Sequence, residues 1–196
     1  GTRCVAKASL VRNFHHRRAF TLIELMTVVV IVGVLAVLGV VGYRRVITSA
    51  KVTEATNMVQ AIRVAQEDFH SETGRYADIG VDPKCPIAPN TPPVPHKSGW
   101  NPACIGSAGQ AWSLLAVHVD GPVMYSYGTS AGIAGEAVGG KGNVGSVNGT
   151  APVWPATTKK DWFIVQARGD MDGNGINSGV IGASFTNDVY IDQEGE

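Results

Sequence analysis

The 196-residue chain has no G-x-x-x-x-G-K-[ST] loop and no H-E-x-x-H pair. The first absence removes the usual phosphate cradle, and the second removes the helical zinc ligands of a metalloprotease. The five histidines are scattered, two of them at His15 and His16. Only three cysteines occur, and none is spaced as C-x-x-C or accompanied by ligand histidines. A redox dithiol or zinc site is therefore not encoded. There is no excess of either charge, with 16 basic and 16 acidic residues. Acids are absent from residues 1–19, and proline is absent from Phe20 to Thr73. These absences point away from catalysis and toward the N-terminal third.

A basic segment comes first, with Arg3, Lys7, Arg12, Arg17 and Arg18. An apolar run from Phe20 to Gly42 follows, interrupted by one charge, Glu24. About 20 apolar residues suffice to cross a bilayer as a helix. A basic flank stays cytoplasmic, which places the rest of the chain outside. No small-residue cleavage site follows the run, as an ordinary secretory signal would require. A carboxylate at such a position costs about 3 kcal/mol, so it calls for a partner and a purpose. Its own segment offers none by inspection, and the nearest source is a second copy of the chain.

Ala19-Phe20-Thr21-Leu22-Ile23-Glu24-Leu25, between a basic leader and an apolar span, resembles the prepilin processing site of type IV pilins and type II secretion pseudopilins. The resemblance implies cleavage between Ala19 and Phe20 by a prepilin peptidase, then methylation of the Phe20 amine. It implies that the apolar run stays in the mature protein, and that Glu24 acts in assembly. Partners would be other pilin-like subunits and an inner-membrane assembly platform. The subunit would sit in the inner membrane as a single-pass protein, then in a pilus at the cell surface or in a periplasmic pseudopilus. Two residues depart from the family pattern. Ala19 stands where Gly is usual before the cut, and Val41, between Gly39 and Gly42, stands where a late proline is usual. Loss of residues 1–19 would leave 11 basic against 16 acidic residues, net −5. That excludes a broadly basic nucleic-acid surface and leaves at most a local patch for DNA uptake.

Beyond Tyr43-Arg44-Arg45, an interfacial signature, the pattern becomes amphipathic. Ala55, Met58, Val59, Ile62, Ala65 and Phe69 recur at three- and four-residue steps, and Lys51, Glu54, Asn57, Gln60, Arg63 and Glu67 fill the other face. This predicts one helix over 20–73, about 80 Å long at 1.5 Å per residue, with Gly74 as its stop. Gly74-Arg75-Tyr76 resembles the helix-to-loop exit of the same family. Residues 82–106 are proline-rich and read as an irregular loop. Cys85 and Cys104 bracket most of it, and export favours a disulfide between them over two free buried thiols. Closing that loop would contribute about 3 kcal/mol by the chain-entropy estimate. A short helix or turn is expected at Trp112–Leu115, and strands at Val123–Tyr127, Trp162–Ala167, Ser184–Phe185 and Val189–Ile191. The Gly-rich stretch 128–150 reads as a connection, and its Asn148-Gly149-Thr150 fits a glycosylation acceptor pattern.

The expected fold is α+β: a long N-terminal helix, membrane-spanning in its first half, packed on a small antiparallel sheet. Its segments are a leader at 1–19, an assembly half at 20–45, an amphipathic half at 46–76, a disulfide-bracketed loop at 77–122 and the sheet at 123–196. Asp170, Asp172 and Asn174, with Gly175, resemble the start of a calcium loop. The closing bidentate Glu is missing, since Ile181 stands there, and an ordinary polar hairpin turn fits the same residues. Calcium is thus the one cofactor to test. The function expected is a filament subunit, not an enzyme, with a pseudopilin as the variant within that class. A membrane-tethered monomeric binding or sensor domain is the reading from another class.

Overall fold

The computed structural model describes residues 20–80, 96–139, 144–147, 152–171 and 173–192. Helix α1 spans Leu22–Thr73 without a break. The absence of proline and the run of helix-compatible residues explain its continuity, and Gly74 with φ 74° ends it, a left-handed conformation that glycine adopts without strain. The chain divides into two compact units, one ending at Arg44 and the other beginning at Arg45.

The second unit is an α+β layer structure. Its sheet holds β1 (Ser126–Gly132), β2 (Trp162–Gly169), β3 (Ser178–Ala183) and β4 (Tyr190–Asp192), in the order β1-β2-β3-β4. All three pairings are antiparallel, for example Thr129 against Val165 and Val165 against Gly182. Side chains alternate across the sheet, as strand geometry requires. Phe163, Val165, Ala167 and Val180 face the helix stripe, where Ala55, Val59, Ile62 and Ala65 are buried and Met58 and Phe69 pack beside them. Trp162, Ile164, Ile181 and Ala183 form a second core on the opposite face with Val144 and Val147. Gln166 ties this cover down: its Oε1 accepts from Gly145 N at 2.9 Å, and its Nε2 donates to the Ser146 carbonyl at 2.6 Å. Both faces of the sheet are therefore covered.

Three sequence expectations are corrected here. β1 extends through Gly132, so residues 128–132 belong to the sheet and not to a Gly-rich connection. Val123 makes only an isolated bridge to Ser98. Ser184–Phe185 form a turn, while Ser178–Ala183 form the third strand. That strand reads Ser-Gly-Val-Ile-Gly-Ala, poor in the branched and aromatic residues that mark strands. Its glycines answer to packing. A Cβ on Gly179 would lie 2.2 Å from Val147 Cγ2, and one on Gly182 would lie 3.0 Å from Val59 Cγ1. Neighbours thus approach closely on both faces and leave little room for side chains there.

The helix exit is a small aromatic lock. The Tyr76 ring stacks on His70 at 4.3 Å and meets Phe163 edge-on at 4.7 Å. Its hydroxyl donates to Glu67 Oε1 and Oε2 at 3.2 and 3.1 Å. Desolvation, reinforced by the negative charge and hydrogen bond of Glu67, pushes the phenol up to about 12. An acid held protonated by folding stabilises the fold below its unfolded value near 10, and that stability is lost as pH rises toward 12. Tyr76→Phe is expected to flatten the wild-type loss of thermal stability between pH 10 and 12. Melting curves of the two proteins across that range check it, and identical alkaline limbs would refute it.

Candidate functional site

The first turn of α1 carries the chemistry. Leu25 N donates to the Thr21 carbonyl at 3.2 Å, which makes Thr21 the N-cap and Glu24 the third helical residue. The two are bound reciprocally. Glu24 N donates to Thr21 Oγ1 at 3.2 Å, while Thr21 N and Thr21 Oγ1 donate to Glu24 Oε2 at 3.1 and 2.9 Å. This is a capping box, in which each residue's side-chain oxygen accepts from the other's backbone N–H, so that two orphan donors of the helix start are satisfied. It corrects the reading that Glu24 has no partner in its own segment. The signal was present as Thr-x-x-Glu before an apolar run, the pattern that marks such a box. Thr27 is satisfied locally too, donating to the Ile23 and Glu24 carbonyls at 3.0 Å.

Around this polar turn everything is apolar and exposed. Phe20 is 82% exposed, and Leu22, Ile23, Leu25 and Met26 are each at least 60% exposed. The best 18-residue window of α1 has mean hydropathy 2.9 and buries none of its surface within the chain. A helix apolar all round must be covered by something else. By length and composition it is long and apolar enough to cross a membrane.

The other predicted residues fall as follows. Residues 1–19, and so Ala19, lie outside the described residues, as do Cys85, Asp172 and Asn148-Gly149-Thr150. Cys104 is buried and disulfide-bonded. Asp170 is nearly buried at the end of β2; its Oδ1 accepts from Gly173 N at 2.8 Å and its Oδ2 from Gly175 N at 3.0 Å. Asn174 Oδ1 accepts from Ile176 N at 2.7 Å. These bonds close a tight polar turn between β2 and β3, and the calcium reading rests on the sequence pattern alone. Among the described residues no group of three His, Cys, Asp or Glu is arranged to hold a metal. Arg168-Gly169-Asp170 is not an exposed tripeptide. Burial draws the Arg168 guanidinium down from its ordinary value, and Gly169 and Asp170 are buried.

One pattern escapes the sequence reading. Gly128-Thr129-Ser130-Ala131-Gly132 spells G-x-S-x-G. The structure places it inside β1, with Ser130 1% exposed and its hydroxyl without a hydrogen-bond partner. A nucleophile elbow needs an exposed serine on a strand-to-helix turn, and a buried strand serine does not meet that need.

The comparison with known families bears on this first turn. Residues 14–40 carry the prokaryotic N-terminal methylation motif. That motif is the signature of type IV pilins and pseudopilins. It supports a type IV pilin- or pseudopilin-like protein. Together with the long apolar helix it fits inner-membrane anchoring of a prepilin-type protein. The long helix packed with a four-stranded antiparallel sheet is a pilin-like layout. No curated protein and no solved structure matches the chain.

Proposed function

We propose that this chain is a structural subunit of a type IV pilus-like filament. A prepilin peptidase cuts it between Ala19 and Phe20, the Phe20 amine is methylated, and the subunit assembles by packing of its N-terminal helix. Before assembly it is a single-pass inner-membrane protein; afterwards it lies in a surface pilus. The observation that carries this reading is the exposed apolar half of α1 with one carboxylate a single turn after the cut. Cleavage creates an ammonium at a helix start. In a staggered stack, Glu24 of one subunit meets the Phe20 ammonium of its neighbour, and one axial offset satisfies both charges. Removing either partner would strand the other in apolar surroundings. The disulfide at buried Cys104, which we assign to pairing with Cys85, supports a pilus subunit, while the Asp170–Asn174 turn supports the alternative within the same class, a type II secretion pseudopilin.

Mass analysis of the mature protein tests the reading. The expected result is a chain that begins at a monomethylated Phe20. An intact leader would overturn it in favour of a tethered monomer.

A further inference from the structure

A proline period in the sequence matches an aromatic groove in the outer unit. Pro83, Pro86, Pro89, Pro92 and Pro95 recur at every third residue. Residues 81–95 lie outside the described residues, so the period is a property of the sequence. Three residues per turn is the repeat of a polyproline II helix, which would set these rings along one edge. The groove lies beside β4, on the sheet face away from the helix stripe. It encloses about 360 Å³ between the half-buried rings of Trp154, Phe185 and Tyr190, with Pro152 and Pro155 at its side. That volume falls within the range of small binding clefts. The Trp154 Nε1 donates to the Gly145 carbonyl at 3.4 Å, and its ring meets Phe185 edge-on at 5.5 Å. The aromatic walls are therefore set before anything docks. Grooves of this kind receive extended proline-rich segments, whose stiffness keeps the ordering cost low.

Resting on the filament reading above, we infer that this groove receives the Pro89–Pro95 segment of a second copy of the chain. The anchors of the segment select the copy. On one side, Gly80 N donates to the Thr129 carbonyl of β1 at 2.6 Å. On the other, Ser98 and Val123, just before β1, exchange backbone bonds at 2.8 and 2.9 Å. Both anchors thus sit on the β1 side of the sheet. The groove sits at β4, the opposite end of the order β1-β2-β3-β4, about 14 Å away across the strands. An extended Pro89–Pro95 run is about 22 Å long at 3.1 Å per residue. Such a stiff run cannot cross the sheet, lie in the groove and return to the side it left. A neighbour whose β4 side meets this β1 side takes it directly. The contact joins two different surfaces, so repeating it from copy to copy builds an open helical array.

The test has two arms. In the first, a fluorescently labelled peptide of residues 88–96 is titrated with the full chain in detergent. Saturable binding is expected, weakened about tenfold or more by Trp154→Ala in the protein. The same loss is expected when Pro89 and Pro92 of the peptide are replaced by alanine, a change that leaves the protein's folding untouched. No saturable binding, or equal binding of the alanine peptide, overturns the inference. In the second arm, one chain carries Val153→Cys, at the fully exposed rim of the groove, and a co-expressed chain carries Thr91→Cys. Mild oxidation of sheared fibres should give a covalent dimer that neither variant gives alone. Peptide binding without that dimer overturns the assignment to a second copy. If the wild-type chain forms no fibre, the filament reading fails and the second-copy assignment with it. The peptide arm needs no fibre, so its failure alone strikes this inference and leaves the filament reading standing.

Discussion

Gln66→Leu is expected to lower the melting temperature of the full chain in detergent by roughly 8–16 °C. Gln66 is fully buried on the helix stripe between Ile62 and Phe69. Its Nε2 donates to the Ala77 carbonyl and to Thr129 Oγ1, both at 2.8 Å, and its Oε1 accepts from Ala77 N at 2.9 Å. One side chain thereby joins α1, the exit loop and β1. Leucine matches the volume but strands both backbone groups of Ala77, which is itself fully buried. Each orphaned buried group costs about 1–3 kcal/mol, so the sum is about 4 kcal/mol. That is a large share of the roughly 5–15 kcal/mol by which domains are stable. Asn57→Ala, on the exposed face of the same helix, should change stability by less than about 0.5 kcal/mol. Thermal unfolding of the two variants beside wild type decides this, and equal melting temperatures would contradict it.

The second large effect falls on assembly. Glu24→Ala should give a protein that inserts in the membrane and loses its leader but does not form fibres. Stranding one member of a buried ion pair costs about 3–5 kcal/mol, a factor of about 100 or more at each subunit contact. Over a filament of many contacts such a loss abolishes assembly. The box with Thr21 does not lessen this, because alanine removes both carboxylate oxygens. Fibres sheared from cells expressing Glu24→Ala at normal yield would contradict the account.

How much of this was legible beforehand depends on what each element's residues have to satisfy. Helix α1 was readable because its apolar positions keep one period over 46–73 and its start is apolar all round. β2 was readable as Trp-Phe-Ile-Val, since large and branched side chains fill both cores. β3 was not, because Gly179 and Gly182 exist to let Val147 and Val59 come close, and close approach leaves no mark in a propensity. β1 was shifted for a related reason: Thr129, Ser130 and Ala131 are small residues buried by neighbours distant in sequence. Gln66 was missed because its partners lie 11 and 63 residues away. A polar residue on a helix stripe announces itself only once the loop that needs it is in place. At the site the case was different. Glu24 stood out as the one charge in an apolar run, while its tie to Thr21 was written in four consecutive residues and overlooked in favour of a distant partner.

The structure of an assembled fibre tests the central claim most directly. The account predicts a Glu24 carboxylate oxygen within about 4 Å of the Phe20 nitrogen of an adjacent subunit, repeated at every copy. A fibre in which each Glu24 meets only its own Thr21, with the neighbouring nitrogen well beyond that distance, would contradict it.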